Sequence, residues 1–438
     1  MASNQEILGP GDRPGIGRWI PLSFQHVFAM FGATVLVPLL TGLSTSTALF
    51  TAGTGTLIYI LLTGAKVPTY LGSSFAFIPA LVAIGKNPDM GPAYAMGGAI
   101  CAGAFYCIVA LIIRFAGRRW IDVALPPVVI GSVIIVIGMS LAPTAINEAL
   151  YNAAGEYSLI YGSIALVTLI IAVVSTIFLK GFFNTLAILI GLIGGYLFTL
   201  IMGLFIPAYH IIDFTPVANA RWFGLPFLQT DSAGRYFWLM PKFNLVAVLT
   251  FVIVSISTIC EHLGDVLTTS KVVGKNFYEE PGLHRTLLGD GVATAWAALW
   301  GGPPNTTYGE NIGVMAITKV YSVWVIGGAA VIAILLSFCQ KFGALIQTIP
   351  TPVLGGICTL LYGLISSSGL RTIVESGIDY QDKRNLTISS IILVIGIGGG
   401  VLQFKIGQDF TFSLGSVALA TVVGIILNLV IPGDKKSA

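Results

Sequence analysis

Of the ionisable side chains inside otherwise apolar runs of this 438-residue chain, five could carry chemistry: His26, Glu261, Asp265, Asp290 and Glu310. A charged group at the centre of a bilayer costs at least about 2.5–3.5 kcal/mol on insertion scales, so each needs a reason to be there. Glu261 and Asp265 are four residues apart and share one face of a helix. Two like charges there repel, which suits the pair to holding a proton. One reading is a substrate ligand with a proton site; the other is a carboxylate pair tied into a helix–helix polar network. The first weighs more for Glu261, and both stand open for Asp265. His26 reads as a polar bridge between helices, with a proton relay as the alternative. Asp290, in Gly289-Asp-Gly291, reads as structural.

Glu310 lies in the stretch Asn305-Thr-Thr-Tyr-Gly-Glu-Asn-Ile-Gly-Val-Met-Ala-Ile-Thr-Lys319. Asn305 to Gly309 is poor helix material, whereas Asn311 to Lys319 suits a short helix. A helix start exposes unpaired amide N–H groups. A carboxylate beside them forms a donor–acceptor edge that matches a flat lactam. An N-cap is the plainer reading of such a residue, but a cap at membrane depth favours binding. Phe75, just past Tyr70-Leu-Gly-Ser-Ser74, occupies the mirror position. Packing is the default for a lone Phe; its place in a repeat adds a second reading, a ring to stack on a flat ligand.

The elements that must position these groups are membrane spans. The chain is 55% hydrophobic and 9% charged, with a mean hydropathy of +0.89, against about 25% charged residues in soluble domains. Its net charge of +3 is small and dispersed, so no nucleic-acid partner is expected. The five cysteines sit in apolar runs without metal-ligand spacing and read as small hydrophobes. Neither a metal nor a cofactor is expected, and no phosphate-binding GxxxxGK[ST] occurs. The polar N-terminal stretch gives no sign of a cleaved signal peptide. Apolar runs of membrane-crossing length fall near 20–42, 47–63, 70–85, 92–113, 124–142, 158–179, 182–205, 244–267, 284–301, 305–319, 321–340, 350–366, 385–401 and 410–432. The expected fold is all-α and polytopic with fourteen segments, the third and tenth too short and too polar to be full helices.

Basic residues orient the segments. Arg114, Arg118, Arg119, Lys435 and Lys436 are among those gathered on the side of both termini. Lys86, Arg221, Arg235, Lys242, Lys341 and Lys405 fall on the other, half of them in loop 206–243. Long loops count little in this rule, so both termini are expected in the cytoplasm, the chain lying in the cell membrane. An internal repeat runs through the whole. Pro127-Val-Val-Ile-Gly131 matches Pro352-Val-Leu-Gly-Gly356, Gln25-His26 matches Glu261-His262, and Tyr70-Leu-Gly72 matches Tyr308-Gly309. Seven segments per offset is odd, so the halves enter the membrane in opposite directions: a 7+7 inverted repeat. Substrate is then expected at the midplane between two broken segments.

Gln25-His-Val-Phe-Ala-Met-Phe-Gly32, Leu71-Gly-Ser-Ser-Phe75, Glu261-His-Leu-Gly264 and Glu310-Asn-Ile-Gly-Val-Met-Ala-Ile-Thr-Lys319 together resemble the nucleobase–ascorbate transporter family, from about Trp19 to Pro432. Glu310 at the head of the last motif resembles the bacterial uracil:proton symporter branch; purine members usually carry Gln there. The resemblance implies a core domain (19–118 and 244–345), a gate domain (119–206 and 346–432) and an extracytoplasmic loop (207–243). It implies that Glu261 and Glu310 hold the N–H and C=O groups of a pyrimidine. Backbone N–H groups of Phe75 and Gly309 would bind its carbonyls, with Tyr308 and Tyr362 nearby. Proton coupling would rest on Glu261, Asp265 and His26, and dimerisation on the gate domains, with the core sliding past them. Where a uracil-carrying member has His four residues after the glutamate, this chain has Asp265.

The expected function is therefore proton-coupled uracil import, with a purine (xanthine or urate) symporter as the alternative. An anion transporter would want positive charge between the broken segments, and a channel a continuous polar ring. A membrane enzyme would want a nucleophile–base pair or a metal cluster.

Overall fold

The computed structural model describes residues 7–230, 236–406 and 410–432; Arg235, Lys435 and Lys436 of the charge pattern lie outside them. The helices of eight or more residues are α1 Ile16–Thr41, α2 Thr45–Leu62, α3 Ile78–Gly85, α4 Pro92–Ala116, α5 Pro127–Ser140, α6 Ala142–Leu150, α7 Leu159–Phe178 and α8 Ala187–Phe205, followed by α9 Leu245–Val273, α10 Leu283–Leu299, α11 Gly309–Thr318, α12 Val323–Ser337, α13 Gln340–Gln347, α14 Thr351–Glu375, α15 Lys383–Ile397 and α16 Ser416–Val430. The strands are β1 Leu71–Ser73, β2 Leu228–Thr230, β3 Tyr236–Trp238, β4 Asn305–Thr307, β5 Leu402–Ile406 and β6 Phe410–Leu414. Among the described residues eight helical runs are long and apolar enough to cross a membrane, α5 and α6 counting as one.

Packing sorts these helices. α10 lies on α4 and α2, α12 on α2 and α1, and α9 on α4. Separately, α14 lies on α5, α6 and α7, while α15 packs on α16 and α5. The two groups meet where α9 crosses α5 and α16, and where α1 meets α8. Small residues permit the closest crossings: a Cβ on Gly103 of α4 would lie 2.5 Å from the Gly291 carbonyl oxygen of α10. α7 and α8 are covered least by the rest of the protein, so they form an outer apolar wall.

The two interrupted segments are the centre of the fold. Pro68 precedes one, and Pro303-Pro304 the other; proline lacks the amide a helix needs. β1 and β4 then pair antiparallel, Leu71 with Thr307, Gly72 with Thr306 and Ser73 with Asn305. The Ser74 amide donates to the Pro304 carbonyl at 2.9 Å and the Tyr308 amide to the Tyr70 carbonyl at 3.0 Å. All six strand residues are buried. Non-helical backbone survives at membrane depth only where protein satisfies it, and the outer edges of this ribbon are satisfied by side chains. Thr56 of α2 accepts from the Leu71 amide at 2.9 Å and donates to its carbonyl at 3.2 Å. Thr294 of α10 donates to the Asn305 carbonyl at 2.8 Å, and the Asn305 amide side chain reaches the Thr51 carbonyl at 3.0 Å.

Several expected boundaries move. The segment read as 410–432 opens with a strand, β6, paired to β5; Phe410-Thr-Phe-Ser-Leu414 alternates with the period of a strand. The segment read as 350–366 runs on to Glu375. α11 begins at Gly309, two residues before the expected start. Loop 206–243 contains the hairpin of β2 and β3.

Candidate functional site

α9 presents two different faces in five residues. Glu261 and Asp265 are half-buried, whereas the intervening His262 is wholly buried. A helix turns about 100° per residue, so neighbours in sequence point apart. His262 turns toward α10, where its Nδ1 lies 3.0 Å from Asp290 Oδ2 and its Nε2 3.1 Å from Thr286 Oγ1. Glu261 and Asp265 instead face the interrupted segments. Thr307 Oγ1 of β4 donates to Asp265 Oδ2 at 2.7 Å. One oxygen of Glu261, Oε2, is buried without a hydrogen-bond partner among the described residues, and Glu261 lies within electrostatic range of Asp265 and Glu310.

α11 supplies the opposite side. Tyr308, at its N-cap position, makes no side-chain cap, so the first-turn amides lack that partner. Glu310 is half-buried in this first turn. Gly309 is exposed, and a Cβ placed on it would meet only Asp265 Oδ1, at 3.9 Å. Gly313, one turn on, also faces open space. The start of α11 therefore borders an opening whose other wall carries Asp265. Asn311, next to Glu310, is buried and holds α11 to α1: its Nδ2 lies 3.1 Å from His26 Nδ1 and donates to the His26 carbonyl at 3.1 Å. His26 is 1% exposed and has the geometry of a bridge between α1 and α11.

The aromatic residues divide in two. Phe75, in the short 3-10 turn Phe75–Phe77 after β1, meets Tyr362 of α14 edge to face, with centroids 5.9 Å apart at 77°. This joins an interrupted segment to a helix of the other packing group. The Tyr362 hydroxyl is buried beside the Cys358 thiol, one helical turn back on α14. The Tyr308 ring points the other way. Its hydroxyl donates to the Ser73 carbonyl at 3.1 Å and accepts from Thr34 Oγ1 at 3.1 Å, so this side chain braces β1.

The structure thus gathers Glu261, Asp265, Gly309 and Glu310 around one opening, pairs Phe75 with Tyr362, and turns Tyr308 and His26 into braces. The sequence reading of Asp290 as structural did not name its partner, His262. Its signal was present: a buried acid requires a partner, and His262 is one residue from a noted acid. Among the described residues no three His, Cys, Asp or Glu side chains gather as a metal site, and the cysteines are unbridged.

Comparison with known proteins gives this site a setting. The family model described as Permease family, the xanthine/uracil permeases, matches residues 17–405. The chain is 50% identical over 438 residues to the uracil permease of Bacillus caldolyticus, covering 99% of this chain and 97% of that one. It is 43% identical over 432 residues to the uracil permease of Escherichia coli K12, covering 97% and 94%. Its fold is similar to the transmembrane domain of the cyanobacterial bicarbonate transporter BicA, with a TM-score of 0.60 at 14% identity, over 97% of this chain and 100% of that one. It is also similar to the murine anion transporter Slc26a9, with a TM-score of 0.67 at 10% identity, over 95% and 68%. With the family model matched over most of its length and such relatives spanning nearly all of it, the chain belongs to this permease family, the nucleobase–ascorbate transporters, and is a membrane transporter rather than an enzyme.

Proposed function

We propose that the chain imports uracil together with a proton across the cell membrane by alternating access. The observation that carries this reading is the opening between α9 and α11, where Glu261, Asp265 and Glu310 border the uncapped start of a half-helix. A neutral, planar pyrimidine edge alternates N–H and C=O, and matches acceptors on the two glutamates plus donors on the amides of Gly309 and Phe75. Phe75 and Tyr362 supply its aromatic wall. Protonation at Glu261 or Asp265 lets the site close and carries the cargo inward, while His26 holds α11 against α1. The relatives named uracil permease support the choice of substrate.

In this proposal the chain crosses the membrane fourteen times as a 7+7 inverted repeat, with both termini cytoplasmic. The group built on α1–α4 and α9–α12 is the core, and the group built on α5–α8 and α14–α16 is the gate. The core slides past the gate as an elevator, and the sparsely covered α7 and α8 leave the gate a surface for a second copy.

The test is uptake of radiolabelled uracil into proteoliposomes under an imposed pH gradient, with a competitor panel of thymine, xanthine and hypoxanthine. Uptake that follows the proton gradient and is competed by uracil is expected; preferential competition by xanthine would turn the assignment to purines. Glu261→Gln should nearly abolish uptake, and vigorous proton-driven uptake by that variant would sink the mechanism.

A further inference from the structure

Away from the transport site, the ends of α2, α4 and α10 enclose a cavity of about 550 Å³. Its walls carry Arg114, His284 and Arg285 beside the apolar Leu62, Leu111 and Leu288. Two other basic residues at this end are already paired: Lys66 Nζ lies 2.6 Å from Glu280, and Arg118 3.6 Å from Asp122. The cavity itself is lined by no acid among the described residues. Arg285 uses its Nε on the Leu62 carbonyl at 2.8 Å, leaving the outer nitrogens of its guanidinium. Arg114 makes no hydrogen bond or ion pair among the described residues.

The position of Arg285 is electrostatically adverse. His284 and Arg285 lie in the first turn of α10, which holds no acidic residue. The positive end of a helix dipole favours anions and opposes cations. An anion held there offsets both the dipole and the two guanidinium charges, and accepts a hydrogen bond from the His284 ring. The surroundings say what else the anion carries: Leu111 and Phe115 of α4 and Leu61 of α2 are 48%, 83% and 76% exposed, so apolar surface runs outward from the basic cavity. Basic pockets between spans that open on apolar faces suit lipid headgroups.

We infer that this cavity binds an anionic phospholipid, its phosphate on Arg114, His284 and Arg285 and an acyl chain along α4. The site belongs to α2, α4 and α10 and is separate from the opening beside Glu310, so its occupancy is independent of which nucleobase is carried.

The test uses the full-length protein, delipidated in a neutral detergent and followed by thermal unfolding. Dioleoylphosphatidylglycerol at saturation should raise Tm by roughly 3–6 °C, with little change from dioleoylphosphatidylcholine or from inorganic phosphate at equal concentration. The double variant Arg114→Gln, His284→Gln should lose that rise, while Arg371→Gln, at an exposed basic residue of α14, should keep it. An undiminished rise in the double variant overturns the site, an equal rise with phosphatidylcholine overturns the charge requirement, and an equal rise with phosphate alone overturns the lipid. A second measurement needs no variant. A photoactivatable phosphatidylglycerol with its reactive group in the acyl chain should label the wild-type protein around Leu111 or Leu288. Labelling confined to other helices overturns the proposal.

Discussion

The two interrupted segments share a scaffold and differ in what they carry past the strand. β1 runs into a buried aromatic turn, where Phe77 stacks on Phe251 of α9 at 5.6 Å, and then into α3, whose first turn holds no charge. β4 runs into α11, whose first turn holds an exposed glycine, a half-buried glutamate and a buried asparagine. Strand pairing fixes the position of both helix starts; it says nothing of their side chains. One half has become a wall, and the other a polar edge. Paired strands can therefore be read for geometry, while the chemistry must be read separately in each segment.

The difference is broken most directly at Glu310. Glu310→Gln replaces a charged acceptor by a neutral amide at the edge of the opening. Hydrogen bonds to charged groups are worth about 1.5–3 kcal/mol, so uracil affinity should fall roughly 10–150-fold, measured by binding to the purified protein. Unchanged affinity would remove Glu310 from the site and make the two halves equivalent.

A pair of glycine substitutions separates brace from opening. Gly72 lies under the Tyr308 ring, which a Cβ would strike. Gly72→Ala should destabilise by about 1–3 kcal/mol, the usual cost of overpacking, and should lower Tm with or without uracil. Gly309→Ala puts the same methyl at the opening, in ordinary contact with Asp265 Oδ1 alone. Its Tm should hold while uracil uptake falls at least about tenfold, a loss of some 1.4 kcal/mol. A fall in Tm for Gly309→Ala, with normal uptake, would reverse the assignment of the two sites.

This contrast also shows what the sequence makes legible. Pro68, Pro303 and Pro304 announce interruptions because proline cannot continue a helix, and the polar residues of 305–311 stand out against apolar neighbours. Local chemistry of that kind needs no partner to be recognised. The partners themselves were hidden. Thr56 and Thr294 tie the ribbon edges from other helices, and Asp290 meets His262 across 28 positions, so helical or strand periodicity signals none of these contacts. The end of α14 was misplaced for a different reason. Ser366-Ser-Ser-Gly369 looks like a stop, yet Ser366, Ser367 and Ser368 donate to carbonyls three or four residues back and stay in the helix. Glu261 and Asp265 were legible as a face because helical spacing is itself local.

The ribbon edges give a smaller effect that sharpens the same comparison. Thr56→Val strips both hydrogen bonds from Leu71 in β1, whereas Thr294→Val strips one from Asn305 in β4. An unpaired buried polar group costs about 1–3 kcal/mol, so Thr56→Val should cost more in unfolding free energy than Thr294→Val. Equal costs would mean that the edges are satisfied by other contacts once the threonines are gone.

The smallest effect is expected at Phe75. Its ring meets Tyr362 edge to face, an arrangement worth about 0.5–1.5 kcal/mol beyond the area it buries. Phe75→Leu keeps most of the apolar volume and removes that geometry, so stability should fall by no more than that amount. Substrate affinity should fall by roughly 2–10-fold, the ratio those energies imply, because the backbone amide at position 75 survives the substitution while the stacking face does not. Phe75→Tyr retains the face and should restore affinity. If Phe75→Leu instead costs as much as Glu310→Gln, the β1 half is doing more than forming a wall, and the division between the two segments fails at the residue where it is most exposed.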